Sequence, residues 1–454
     1  MSTVSESAPS SHASVISVDE EIEAASFGAF HALILGLVGF AVVFDGYDTF
    51  VPAYVIKFVV EPWALAKSQA GLLVSSGLIG FMIGSLVHGS IADRIGRRNT
   101  LLGGLWVAGI FSLATALFVN DYPAFLALRF LTGIGLGSLL PLATTYVSEF
   151  APAKSRNAFV IWGAAAGWTS GAVIAALVGI FLTPSFGWHA LFWVASLSIV
   201  LTLIAHRALP ESARFLALRG RTEELAALLA RIRPERASAY RGAQFARQAI
   251  VANAGSPLAL LSPPNARNTI VIWVCAFLVL FDIYGLSGWL PTIMATRGEG
   301  FATSFGYGAL LQIMSLFGAF ACGAICDRRG DRKLALVIWW LLGGIAVIAL
   351  ALVNTHLTNF VLIAAAGFFV IGGQFILNNF TAAAYVTELR ATGVGMELGI
   401  GRLGAILGPF IGGVLQQRFA SATSFFVVMA AASLIGAIVF AFSKPAPVSR
   451  EIPG

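Results

Sequence analysis

The stretch Gly89-Ser90-Ile91-Ala92-Asp93-Arg94-Ile95-Gly96-Arg97-Arg98 returns as Gly323-Ala324-Ile325-Cys326-Asp327-Arg328-Arg329-Gly330-Asp331-Arg332-Lys333, 234 residues further on. Each copy is a short charged turn that closes one apolar run and opens the next. Two other landmarks keep nearly the same spacing. Phe44-Asp45 with Tyr47 is echoed by Phe281-Asp282 with Tyr284, and Tyr146-Val147-Ser148-Glu149 by Tyr385-Val386-Thr387-Glu388. Three landmarks at a nearly constant offset mark two homologous halves. Six apolar runs in each half is an even number, so the halves share one orientation and relate by an axis normal to a membrane. A ligand site is then expected at mid-depth between them.

The composition requires a membrane around these runs. Of 454 residues 58% are hydrophobic and 11% charged, with 48 glycines and a mean hydropathy of +0.85. Lipid-exposed spans must be apolar and must satisfy their own backbone hydrogen bonds, and close helix packing in lipid favours glycine. The expected fold is an all-α polytopic membrane protein of 12 transmembrane helices in two pseudo-symmetric six-helix bundles. Its spans start near residues 29, 69, 99, 122, 157, 188, 268, 303, 333, 358, 393 and 421. With the N-terminus inside, 20 of the 28 Lys and Arg fall in the five cytoplasmic loops, against Lys57, Lys67, Arg297 and Arg418 outside. That asymmetry predicts both termini in the cytoplasm. It also accounts for the net charge of +6 without nucleic acid.

The division that follows is a disordered acidic tail over 1–27, bundles over 28–208 and 268–443, a linker over 209–267 and a tail over 444–454. The Arg-rich linker carries a short amphipathic helix near Thr222 to Ile232 and is either a membrane-surface element held by anionic lipid or a plain tether. Cys275, Cys322 and Cys326 lie in apolar runs and read as small buried residues, not metal ligands. No metal, cofactor or nucleophile–base pair is expected, so the chain reads as a non-enzyme and, most simply, a monomer.

Charge inside the spans carries the functional reading, because an ionisable group at membrane depth is costly. Asp45-Gly46-Tyr47-Asp48 sets two carboxylates at i and i+3 on one helix face. They are proton-carrying candidates, and the residues leave open which one titrates. Arg402, near mid-depth of span eleven, suits a substrate carboxylate through its planar fork, with a structural pair to Asp282 or Glu397 as the alternative. In the repeated turns, Gly89 permits close helix approach, Asp93 accepts from a neighbouring helix N-terminus, Gly96 turns the chain, and Arg97 and Arg98 anchor it. Recurrence at Asp327 and Arg332, with Glu149 and Glu388 ending spans four and ten, points to paired gate latches. Span five carries Gly163, Gly167 and Gly171 at helix-packing spacing.

Both turns resemble the Gly-x-x-x-Asp-x-x-Gly-Arg-Arg motif of the major facilitator superfamily. Arg129-Phe130-Leu131-Thr132-Gly133-Ile134-Gly135-Leu136-Gly137 resembles its fourth-span motif, and Pro210-Glu211-Ser212-Ala213-Arg214 the stretch after its sixth span. Asp45 to Asp48 looks like the Asp-Gly-x-Asp motif of the aromatic acid:proton symporters. Trp289 to Thr292, Gly372-Gly373-Gln374 with Asn378, Arg390 to Gly395 and Gly401 to Pro409 are similar to the text of that family. The resemblance implies proton-coupled uptake of small aromatic carboxylates, such as hydroxybenzoates or protocatechuate, across the cytoplasmic membrane. Another organic acid, or efflux, is the alternative. It implies that span four packs near span one, so that Arg129 pairs with Asp45 or Asp48, with Asp282 as the repeat-related acid. Recognising such a ring needs aromatic faces and amide partners, for which Tyr47, Tyr284 and Trp168, with Gln374 and Asn378 towards a ring hydroxyl, are the candidates. Three positions depart from the family pattern: Leu142, Asp331, and Met396-Glu397 after Gly395.

Overall fold

A chain whose apolar runs must satisfy their backbone internally becomes a set of long helices. The computed structural model describes residues 15–153, 166–246 and 256–444. After a short α1 (Val18–Glu23), the first half comprises α2 (Ala29–Val59), α3 (Lys67–Ile95), α4 (Arg97–Phe118), α5 (Tyr122–Ser148), α6 (Gly167–Phe181) and α7 (His189–Ala208). The linker holds α8 (Ala213–Leu218) and α9 (Thr222–Ile232). The second half comprises α10 (Ala266–Thr296), α11 (Phe301–Arg329), α12 (Arg332–Leu352), α13 (His356–Ala384), α14 (Thr387–Phe419) and α15 (Ala422–Ala441). Among the described residues, eleven helices are long and apolar enough to cross a membrane. The remaining span is α6, whose expected beginning near 157, with Gly163, lies outside the described residues.

Most helices begin within two residues of the apolar runs. The exception is α14, which starts at Thr387 and not near 393, because the polar turn Thr387–Arg390 is helical although hydropathy sees only the apolar part. Side chains stop and start the chain where the loops demand it. Asp121 Oδ1 accepts from Ala124 N at 2.8 Å at the head of α5, and Asp331 Oδ1 from Leu334 N at 2.9 Å at the head of α12. Gly96 joins α3 to α4 at φ +98°, a conformation that L side chains rarely adopt.

The disorder expected over 1–27 does not hold for the described part of that segment. Ile16, Val18 and Ile22 pack into one apolar cluster with Leu225, Leu228, Leu229 and Ile232 of α9. Glu21 is buried and accepts from Arg233 Nη1 at 2.8 Å, from Tyr240 Oη at 2.7 Å and from Arg236. The linker is therefore docked on the first half and is more than a plain tether.

Among the described contacts the halves meet from the end away from the chain termini down to mid-depth, and not at the terminal end. At the end away from the chain termini, a Cβ on Gly413 would stand 2.4 Å from the Lys67 carbonyl oxygen, and one on Gly71 2.4 Å from that of Pro409. Ser75 Oγ donates to Ile406 O at 2.7 Å, and the Tyr54 and Phe305 rings lie 4.9 Å apart. At the terminal end, Gly89 on α3 and Gly395 and Gly399 on α14 have no neighbour within 4 Å of a Cβ position. A cleft thus opens towards the termini and is sealed at the far end.

A polar cluster ties the far-end loop between α10 and α11. Glu299 accepts from Asn359 Nδ2 at 2.9 Å and Tyr307 Oη at 3.0 Å, with His356 Nδ1 at 3.0 Å. Burial pulls its carboxyl up, but these hydrogen bonds together outweigh burial and hold it below the ordinary value of 4.5. A depressed acid adds stability that is complete above its unfolded value and is lost as the pH falls through its folded one. Glu299→Gln is therefore expected to melt lower than the wild type at neutral pH. The gap between the two should close below about pH 4.5. A gap that stayed constant on acidification would show that the carboxylate charge is not the source.

Candidate functional site

The site begins with a glycine. A Cβ on Gly46 would stand 2.1 Å from the Trp168 carbonyl oxygen, so α2 and α6 are in backbone contact at that level. This contact fixes the rotation of α2 and decides where its two acids point. Asp48, 3% exposed, turns into the first half. Its Oδ1 accepts from Arg129 Nη1, its carbonyl from Arg129 Nη2 at 2.9 Å, and its Oδ2 from Ser112 Oγ at 2.5 Å. Arg129 is 1% exposed and lies over the Phe192 ring, 5.6 Å from its centroid. A buried guanidinium thus has its carboxylate, and of the two acids that carboxylate is Asp48.

Asp45 is 0% exposed and forms no ion pair among the described residues, with the Thr49 side chain beside it. The field of Arg402 reaches it across the interface between the halves. Arg402 donates through Nη1 to Tyr284 Oη at 2.9 Å and lies over the Phe81 ring at 4.0 Å, a cation–π distance. Tyr284 stacks on Phe50 at 6.2 Å and 12°, and Phe50 meets Trp168 edge-on at 4.9 Å. No carboxylate among the described residues forms an ion pair with Arg402. A small cavity lined by Thr49, Gly77, Phe81 and Arg129 lies between the Asp48 ion pair and the ring beneath Arg402. Among the described residues the centre thus presents one cation and one buried acid that form no ion pair, and aromatic faces from both halves.

Two expected members are elsewhere. Tyr47 is 1% exposed and donates to Leu191 O at 2.8 Å, inside the first half and away from the cleft. Asp282 accepts from Ser433 Oγ inside the second half, so it partners neither Arg129 nor Arg402. The other alternative for Arg402 fails as well. Glu397, 0% exposed, faces Asn378, which in turn is bonded to Gln374 at 2.9 Å. Gln374 and Asn378 therefore belong to a second polar group, on α13 and α14.

The turn after α3 is built as a latch within the first half. Arg97 pairs with Glu149, which also accepts from Ser212 Oγ. Glu211 Oε1 accepts from the backbone of Arg97 at 3.0 Å and of Arg98 at 3.1 Å, capping α4, and Arg98 Nε donates to Leu209 O at 2.7 Å. A Cβ on Gly96 would strike the Glu211 carboxylate. The acid at the helix N-terminus is therefore Glu211 and not Asp93, which is exposed. Sequence spacing gave no sign of this, since Glu211 lies over 110 residues from Arg97. In the second copy Asp327, Arg332 and Glu388 are all exposed, and no ion pair among the described residues links Arg332 to Glu388. The two latches are not equivalent.

The description "Major Facilitator Superfamily" matches residues 36–395 and 272–454. The chain is 34% identical over 418 residues to the 4-hydroxybenzoate transporter PcaK of Acinetobacter baylyi, covering 89% of this chain and 90% of that one. It is 34% identical over 404 residues to the gallate transporter of Pseudomonas putida, covering 88% and 89%. Among solved structures it resembles the partially occluded inward-open xylose transporter XylE from E. coli. That match has a TM-score of 0.69 at 18% identity, covering 90% of this chain and 97% of that one.

Proposed function

Because the chain belongs to the major facilitator superfamily and is a transporter, not an enzyme, we propose that it takes up small aromatic carboxylates together with protons by alternating access. The observation that carries this reading is Arg402, held by Tyr284 and Phe81 at the interface with no carboxylate of its own. A planar guanidinium suits a carboxylate, and the faces of Tyr284, Phe50 and Trp168 suit a ring attached to it. A dicarboxylate would call for a second cation. Arg129, which lies inside another span, is committed to Asp48.

Asp45 is the proton carrier in this scheme and Asp48 the fixed partner of Arg129. The protein sits in the cytoplasmic membrane as a monomer with both termini inside, so its open cleft faces the cytoplasm. Gly89, Asp93 and Asp327 lie at that open end and take part in its closure when the far-end seal parts.

Binding tests the reading directly. Arg402→Ala is expected to weaken 4-hydroxybenzoate binding to the purified transporter by roughly 30-fold or more, the scale of a lost charge-assisted pair. Asp282→Asn, distant from the cleft, is expected to leave that affinity within about threefold. Equal affinity in Arg402→Ala and the wild type would remove Arg402 as the anchor.

A further inference from the structure

Two of the guanidinium nitrogens of Arg129 are spent on Asp48, Nη1 on its carboxylate and Nη2 on its carbonyl. The third, Nε, is buried and has no acceptor among the described residues. A buried N–H without an acceptor is costly, and such groups in folded proteins are commonly met by an ordered water. Arg129 lines the small cavity between its own ion pair and Phe81, and that cavity has room for one water, about 10 Å³. The other polar side chain lining it is Thr49, which also stands beside Asp45.

Gly77 lines the cavity too, and packing does not require a glycine there. Gly77, Gly80 and Gly84 form one row on α3 against α5. A Cβ on Gly80 would stand 2.0 Å from the Phe130 carbonyl oxygen and one on Gly84 2.1 Å from that of Ile134, so these two let the backbones touch. A Cβ on Gly77 would meet nothing closer than Arg129, 3.4 Å from Nη2 and 3.7 Å from Nε, which is ordinary contact. An alanine fits there, and what it takes up is the space beside Nε.

We propose that the cavity is a binding site for one water, which accepts from Arg129 Nε and donates to the Thr49 hydroxyl oxygen, and that Gly77 keeps the room for it. The Thr49 proton is thereby turned towards Asp45, so the acid keeps a donor while its own proton is away. Thr49 is then a positioning residue for the proton carrier. The water site follows from Arg129 and Gly77, while its link to Asp45 rests on the proton-coupled reading above. Gly77→Ala displaces the water and leaves Nε alone, whereas Gly77→Ser brings a hydroxyl oxygen of its own within reach of Nε. The purified Gly77→Ala protein is expected to melt several degrees below the wild type, and Gly77→Ser level with it. A dry cavity gives the opposite order, since alanine fills a void and favours a helix more than serine or glycine does. The loss should shrink when Thr49→Val is already present, because the water then has one partner fewer.

In vesicles, the ratio of gradient-driven 4-hydroxybenzoate uptake to exchange is expected to fall about tenfold in Gly77→Ala and in Thr49→Val, the scale of one hydrogen bond, and to be kept in Gly77→Ser. Gly77→Ala melting at or above the wild type overturns the water site. So does a Gly77→Ser protein that falls equally far or does not fold. If Gly77→Ala alone fails to fold, the expected order holds in a stronger form, and Thr49→Val decides the link to Asp45. The expected melting order with an unchanged ratio overturns the role of Thr49 and leaves the water in place. A wild type without gradient-driven uptake overturns the coupling reading, and the melting order still decides the site.

Discussion

Asp48→Asn is expected to destabilise the protein by about 3–5 kcal/mol, the scale on which removing one member of a buried ion pair strands the other. Asparagine keeps the shape and an acceptor for Ser112 Oγ, now 2.5 Å away, so the packing loss is small. The damage comes from Arg129, which is 1% exposed and would keep its charge in the interior of a membrane protein with no counter-ion. The melting temperature in detergent should fall well below that of the wild type. The double variant Asp48→Asn, Arg129→Gln removes both charges and is expected to recover most of the loss. If the single variant melts like the wild type, the pair does not hold the first half together.

Much of this architecture can be read from the chain, and the reasons for the rest are physical. The repeated turns at Gly89 and Gly323 each join the second helix of a half to the third, because homologous halves keep their landmarks at one offset. The same symmetry misleads at Asp282. An acid at the position equivalent to Asp45 suggests an equivalent role, yet Ser433 on α15 takes its carboxylate into the second half. Asp45 and Asp48 differ by about 60° around the helix, so spacing alone cannot say which meets Arg129. The backbone contact between Gly46 and Trp168 settles it, and no property of the segment itself predicts that contact. It also turns Tyr47 to Leu191 and away from the cleft. Composition over the first 27 residues averages out Val18 and Ile22, and it cannot foresee Arg233 and Tyr240, which bind Glu21 from more than 200 residues away. Glu211 is equally non-local.

Asp45→Asn is expected to abolish gradient-driven accumulation while leaving substrate exchange in place. One proton carried with one carboxylate makes an inward gradient of one pH unit worth about 1.4 kcal/mol, or roughly tenfold accumulation. In vesicles under that gradient the wild type should approach tenfold, and Asp45→Asn should stay near equality with or without a protonophore. In the proposed scheme Arg402 has two claimants. With the cleft empty, the Asp45 carboxylate is the buried charge whose field meets the guanidinium across the interface. A substrate carboxylate on Arg402 takes that balance away, and a wholly buried acid with no cation to balance it then needs a proton. Departure of the substrate restores the guanidinium to Asp45 and releases the proton. On that scheme each ligand favours the binding of the other, and their mutual dependence would be the coupling. Asparagine fixes the neutral state, so the substrate can still bind and exchange but carries no proton with it. Tenfold accumulation persisting in Asp45→Asn, together with its loss in a folded Asp48→Asn, Arg129→Gln protein, would move the proton site to the buried pair.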